Sequence, residues 1–229
     1  MNGRPLGRSG IDIAPLVLGG NVFGWTVDKA TSHALLDRFV AAGLNAIDTA
    51  DVYSRWAPGH SGGESETIIG DWLAASPRRR DQVVIITKVG ADKGLAGSRV
   101  LEAAEASLKR LRTERIDVYL AHKPDPKTPI EETLRAFEQL VAQGKVRAIG
   151  SSNDTAPQLR AALDVSAREG LPRFEVQQPE YNLYDRSRYE GPLRELCVTE
   201  GLGVITYYSL ASGFLTGKYR GEADVGKSI

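Results

Sequence analysis

Seven short apolar or β-branched runs alternate with six helical patterns along this chain, and that alternation constrains the fold more than any other feature. The runs are PLVLGG (15–20), LNAIDTA (44–50), QVVIITKV (82–89), RIDVYLAH (115–122), KVRAIGSSN (145–153), FEVQQPEYN (174–182) and LGVITYYSL (202–210). Helical patterns fill 28–42, 65–75, 98–112, 130–143, 155–168 and 189–200. Thr155 follows a good N-cap cluster, and Gln143-Gly144 reads as a C-cap. A strand–helix repeat of roughly thirty residues is the mark of βα units joining parallel strands.

A doubly wound sheet and a closed barrel both satisfy this pattern. The dinucleotide-binding version of the former wants G-x-G-x-x-G in the first strand-to-helix loop, and LGGNVFGW does not supply it. The expectation is therefore an α/β fold, a (β/α)8 TIM barrel, with RPLGRSGIDIA forming a short hairpin outside the repeat. A closed barrel needs eight strands and seven are visible. One barrel domain over 1–229 is expected, with its C-terminal part (the eighth strand and last helices) missing from this chain.

Bulk properties narrow the function. Lys+Arg and Asp+Glu are equal at 29 each, which speaks against a nucleic-acid partner. PRRR (77–80) is the one dense basic run and reads as a solvated loop. A single cysteine, Cys197, excludes an internal disulfide and a cysteine-based metal cluster. No stretch approaches the apolar length of a membrane span, and the N-terminus carries no export signal, so a reducing, cytoplasmic location is the default and NDT (153–155) an accidental sequon. GEADVGKS (221–228) fits the P-loop pattern, but no strand runs into it and its acidic residues would face the phosphates. It is read as a chance match.

In a barrel of this kind functional residues gather at the C-terminal ends of the strands. Those ends carry Asp48, with Tyr53 in the loop beyond, then Lys88, His122, Ser151-Ser152-Asn153, Gln177-Gln178 and Tyr207-Tyr208-Ser209. Asp48 and Lys88 end adjacent strands and can pair. The lysine charge beside Tyr53 is expected to lower the tyrosine pKa from about 10 towards neutral, making a usable general acid or base. His122 adds a neutral donor for a carbonyl oxygen. Each residue alone has a bland reading, as a cap, a strand terminus, a turn histidine or a rim aromatic. Four on three successive strand ends suit protonation of an oxyanion as hydride reaches carbon.

On these residues the sequence resembles the aldo-keto reductase family. AIDTADVY, VVIITKVG, DVYLAHKPDP, IGSSN, VQQPEYNLYDR and GLGVITYYSLASGFLTGKY match its segments in order over nearly the whole chain. The resemblance implies reduction of an aldehyde or ketone by hydride from a nicotinamide cofactor, NADPH more often than NADH, and a small carbonyl substrate as partner. Tyr53 would be the proton donor, Lys88 and Asp48 would tune it, and His122 would orient the carbonyl. Ser152, Asn153 and Gln178, with Asp48 beside them, would face the nicotinamide. Gly20 and Asn21 would meet the cofactor from the first loop, Tyr207 would stack on the ring, and Tyr208, Ser209, Leu210, Ser212 and Lys218 would follow towards the diphosphate. Two departures stand out: Tyr208-Ser209 replaces the usual Ser-Pro, and Ser54 stands where glycine is common. The long loop 54–66 brings Trp56 and His60 to the rim as expected substrate contacts.

Alternatives are a Schiff-base aldolase using Lys88, and a nucleotide-sensing binding protein like the potassium-channel β-subunits that resemble the family. His122 favours catalysis, since the channel-associated branch resembles the family with asparagine there. The sequence specifies neither the carbonyl compound nor the oligomeric state.

Overall fold

The computed structural model describes residues 3–219 together with Gly221 and Asp224. The P-loop-like stretch therefore lies largely outside the described residues. A two-stranded antiparallel hairpin, β1 (Arg4–Pro5) and β2 (Asp12–Ile13), precedes the repeat, as the sequence predicts. Seven parallel strands follow: β3 (Val17–Gly19), β4 (Ala46–Asp48), β5 (Val84–Val89), β6 (Ile116–Ala121), β7 (Val146–Ser152), β8 (Val176–Gln178) and β9 (Gly203–Val204). They pair in chain order, each with the next.

The sheet curls. The ends of β4 and β8 are four strands apart, which in a flat sheet is roughly 19 Å. Yet the Gln178 Nε2 donates to Asp48 Oδ1 at 3.0 Å. Only a half-barrel brings those ends together. Among the described residues it has open edges at β3 and β9, the arrangement expected of a (β/α)8 barrel lacking its last strand.

Strand alternation decides what fills the barrel. Ala46, Val84, Ile86, Val118, Leu120, Ala148 and Val176 point inward and pack with Ile205. Leu6, Ile11 and Ile13 of the hairpin belong to the same cluster and stopper the N-terminal end. Gly150 shares this face because nothing larger fits: a Cβ there would lie 2.2 Å from the Val176 carbonyl oxygen. The opposite faces, with Ile47, Ile85, Tyr119 and Ile149, pack under the helices against Trp72, Leu111 and Phe137.

The helices fall close to their predicted places: α1 (Lys29–Ala41), α2 (Glu64–Ala74), α4 (Gly97–Leu111), α5 (Ile130–Ala142), α6 (Ala156–Glu169) and α7 (Pro192–Glu200). Thr155 and Gln158 form a reciprocal capping box at α6. Helix α7 begins three residues later than the pattern suggests, because Gly191 is extended with a positive φ of 82° and Pro192 takes the first helical turn. The run 174–182 yields only the short β8, since Pro179 cannot donate to the ladder.

PRRR is a correction. It leads into a single turn of helix, α3 (Arg79–Gln82), and is not simply solvated. Arg80 donates to Asp117 Oδ2 at 2.7 Å and to the carbonyls of Val83 and Arg115. Asp117 is buried in β6 and also accepts from Arg147 and the Ile85 amide. The basic run neutralises a carboxylate under the sheet.

Candidate active site

The parity that fills the barrel also builds the site. Continuing each inward stripe by two residues past the apolar filling gives Asp48 after Ala46, Lys88 after Ile86, His122 after Leu120, Ser152 after Gly150 and Gln178 after Val176. The register staggers them: Asp48 pairs with Ile86, whereas Lys88 pairs with Leu120. This offset accompanies the tilt of barrel strands and arranges the polar ends as a rising arc.

Lys88 is fully buried, and all three of its ammonium hydrogens are used. It donates to Asp48 Oδ2 at 2.7 Å, to the Thr49 carbonyl at 2.7 Å and to the Tyr53 hydroxyl at 2.9 Å. Burial lowers its pKa and the Asp48 carboxylate opposes that. Three acceptors for three hydrogens match the charged form, because a neutral amine would leave one acceptor without a donor. Asp48 is held on both oxygens, by Lys88 and by Gln178. The acid at the end of an apolar strand thus meets its counter-charge one strand away.

Tyr53 contradicts the expected tuning. Burial first, then the charge of Asp48 and a 3.4 Å hydrogen bond to that carboxylate, hold its pKa well above 10 rather than near neutral. The Lys88 ammonium lies closer to the hydroxyl, at 2.9 Å, but desolvation and the Asp48 charge outweigh it. Tyr53 is firmly protonated and suited to giving a proton. Its ring meets His122 edge to face at 6.0 Å. Burial and the charges of Lys88 and Lys123 push His122 down to about 3, so its imidazole is neutral, as expected. Among the described residues its buried Nδ1 has no hydrogen-bond partner.

These groups open into a cavity of 690 Å³. One side is made by the ends of β7 to β9, with Ser152, Asn153, Gln178, Tyr207, Tyr208 and Ser209. Asn153 is left-handed at φ 66°; its Nδ2 donates to the His122 carbonyl and its Oδ1 accepts from the Tyr207 hydroxyl at 2.6 Å. The Ser152 hydroxyl is spent on the Gln178 carbonyl. Tyr208, Ala211 and Ser212 are also left-handed, so the chain turns sharply where Tyr208-Ser209 stands. The other side comes from the loops after β3 to β6: Asn21, Trp25, Arg55, Trp56, Asp92 and Lys123.

Not every candidate reaches the cavity. Gly20 is packed beneath it, its amide donating to the Asp48 carbonyl and its carbonyl accepting from Ser65. Leu210, Ser212 and Lys218 lie on an exposed segment beyond it. Of the two rim aromatics, Trp56 lines the cavity, but His60 turns back to brace the Ser54 carbonyl. Ser54 itself is left-handed at φ 70°, and its buried hydroxyl donates to the Phe23 carbonyl at 2.6 Å. A hydrogen bond offsets the strain that glycine would avoid.

Sequence reasoning missed Trp25, the ion pair between Arg55 and Asp92, and Lys123. Trp25 meets Trp56 edge to face at 5.7 Å from thirty-one residues away, and nothing local announces that.

A curled parallel sheet with a polar cluster at its C-terminal strand ends puts this chain in the α/β-barrel class. It belongs to the Aldo/keto reductase family, whose model matches residues 15–228, and the family is one of oxidoreductases. Similar curated proteins include a "Probable voltage-gated potassium channel subunit beta" of Oryza sativa subsp. japonica, 38% identical over 226 residues (96% of this chain, 67% of that one). A protein of the same name from Arabidopsis thaliana is 36% identical over 226 residues, with the same coverage. An "Uncharacterized 11.2 kDa protein in crtE 3'region" of Pseudescherichia vulneris is 63% identical over 89 residues (39% of this chain, 86% of that one). The chain thus spans about two thirds of the length of the channel-subunit relatives. No described helix is long and apolar enough to cross a membrane.

Proposed function

We propose that this protein reduces aldehydes or ketones to alcohols, with Tyr53 as proton donor and NADPH as cofactor. The observation that carries the reading is the 2.9 Å contact from the Lys88 ammonium to the Tyr53 hydroxyl, beside a neutral His122. When bound, the reduced nicotinamide supplies the hydride. As the substrate oxygen gains charge, the Tyr53 O–H gives it a proton. The phenolate left behind keeps the hydrogen bond from Lys88, whose charge now meets a developing anion. Asp48 holds that lysine in place. His122, unable to charge near neutral pH, offers a ring N–H to the carbonyl oxygen without competing for the proton.

The residues present fit the cofactor. Gln178 brings its amide oxygen and a second Nε2 hydrogen for a carboxamide, and Asn153 a remaining acceptor site on Oδ1, its amide hydrogens being held by the His122 carbonyl and the Ser152 hydroxyl. The Tyr207 ring is fixed by its hydroxyl as a wall. The left-handed turns at Tyr208, Ala211 and Ser212 can aim backbone amides at phosphate oxygens. The preference for NADPH over NADH rests on the family resemblance.

A second reading has one observation in its favour, the channel-subunit names of two relatives. In it the same cavity senses nucleotide and the outer surface binds a partner. The Schiff-base reading is disfavoured by geometry, because every hydrogen of Lys88 is engaged and it lies behind Tyr53. The deciding experiment is NADPH oxidation across a panel of aldehydes, with Tyr53→Phe as control. The variant is expected to lose reduction while binding NADPH nearly as before. Retention of most of kcat in Tyr53→Phe would defeat the assignment, and NADPH binding without turnover of any aldehyde would favour the sensing role.

A further inference from the structure

The loop side of the cavity carries an unbalanced positive charge. Asp48 is matched by Lys88, and Asp92 by Arg55. Lys123, next to His122 and in the cavity wall, makes no salt bridge among the described residues and stays exposed. From Ala91, Asp92 and Lys123 the wall continues into a groove of 380 Å³ that also contains Lys93 and Lys127. Among the described residues neither of these lysines makes a salt bridge, and both are exposed. The other carboxylate of the groove, Asp125, is hydrogen-bonded to the amides of Leu95 and Lys127 and to the Thr128 hydroxyl and stays ionised, so it offsets one of the three lysine charges and leaves the shelf net positive. Three ammonium groups with no salt-bridge partner among the described residues therefore line one continuous shelf leading away from Tyr53 and His122. The same rim carries Trp25 and Trp56, 40% and 48% exposed and packed edge to face, an apolar contact beside Tyr53.

We infer that the substrates of this site carry a carboxylate or phosphate at the end remote from the carbonyl, and that Lys93, Lys123 and Lys127 select for it. This rests on the reductase reading above. In the step concerned the carbonyl carbon accepts hydride from the reduced nicotinamide, its oxygen accepts the Tyr53 proton, and the anionic group stays unchanged on the shelf. An exposed ion pair changes binding by a factor of roughly 1.5 to 5. Two or three such contacts give about tenfold, screened as salt shortens the reach of the charges.

The test uses matched pairs: 4-carboxybenzaldehyde against 4-methylbenzaldehyde for carboxylate, and glyceraldehyde 3-phosphate against glyceraldehyde for phosphate. kcat/KM for the anionic member is expected to exceed that of its neutral twin by about tenfold at low salt, with the ratio shrinking as salt is added. K93Q/K123Q/K127Q should collapse the ratio towards one. These lysines are exposed, so the variant is not expected to disturb folding. A second readout needs no cofactor: quenching of tryptophan fluorescence by benzoate and phenyl phosphate against benzyl alcohol, since Trp25 and Trp56 border the cavity and Trp72 is buried elsewhere. A preference in one arm alone assigns that anion. Equal behaviour of charged and neutral members in both arms and both readouts, or a preference unmoved by the triple variant, overturns the inference. Anion-selective quenching with no reduction of any aldehyde would sustain the shelf and defeat the reductase reading instead.

Discussion

Replacing Asp48 with asparagine isolates the electrostatics on which the site rests. The side chain keeps its size, and Oδ1 can still accept from Gln178. The buried ammonium of Lys88 then has two neutral acceptors and no counter-charge. Breaking one side of a buried ion pair costs roughly 3–5 kcal/mol, against a total stability of about 5–15 kcal/mol for an ordinary domain. The folded protein has one escape, which is to release the Lys88 proton. Burial already lowers that pKa and Asp48 resists the fall, so removing Asp48 lowers it further. The unfolded lysine stays near 10.5. Between the two pKa values the unfolded chain binds more protons than the folded one, so stability rises with pH. The slope is at most about 1.4 kcal/mol per pH unit. Urea melts of the parent and Asp48→Asn at pH 7, 8 and 9 should show a deficit of several kcal/mol that narrows at each step. A deficit below about 1 kcal/mol at pH 7 that stays flat to pH 9 would mean that Lys88 is not held as a buried cation, since an unpaired one costs far more.

Asp51 offers the opposite sign. Burial, with Glu66 nearby, raises its pKa to about 6 from 3.8, so the folded state resists its ionisation. That penalty is absent below about pH 4 and complete above about pH 6, and Asp51→Asn should therefore gain on the order of 1–3 kcal/mol at pH 8 and nothing at pH 4; chemical denaturation at the two values checks it, and a loss at pH 8 refutes it. Ser54→Ala should cost about 1–2 kcal/mol by orphaning the buried Phe23 carbonyl. Ser54→Gly should cost less, because relief of the left-handed strain offsets the lost bond; the reverse order in thermal melts would contradict that account. Gly70→Ala should be severe, since its Cβ would lie 2.0 Å from the Arg110 carbonyl where α2 crosses α4; a Tm within about 2 °C of the parent, less than a 1 kcal/mol change produces, would show that those helices can part.

How much of this was legible in the sequence depended on how local each cause is. Strands buried on both faces read as continuous apolar runs, so the repeat and its order stood out. Asp48, Lys88 and His122 were findable because each ends such a run. The curl follows from the absence of the Rossmann loop only as an inference; its proof is the Asp48–Gln178 bond across 130 residues. The sign of the Tyr53 shift could not be read locally, because it depends on how deeply the ring is covered and which oxygen of Asp48 it faces. Arg80 looked solvated because its acceptor, Asp117, arrives from a strand thirty-seven residues later. Likewise, His60 looked like a substrate contact until the loop folded it back on Ser54.

The two-residue alternation that builds the site also sets a counting rule for changes in this gene. One codon gained inside β5 would turn Lys88 out of the barrel and into the layer beneath α2 and α4, where the buried Glu66 is already paired with Arg110. Two codons would return it to the inner face but lift it by one layer, past the oxygens of Asp48 and Thr49 that hold it. The same arithmetic binds β4, β6, β7 and β8 at once, because their end residues must arrive at one height. Length variation is therefore expected to accumulate in the loops beyond the strand ends, and the strands themselves to remain a fixed measure.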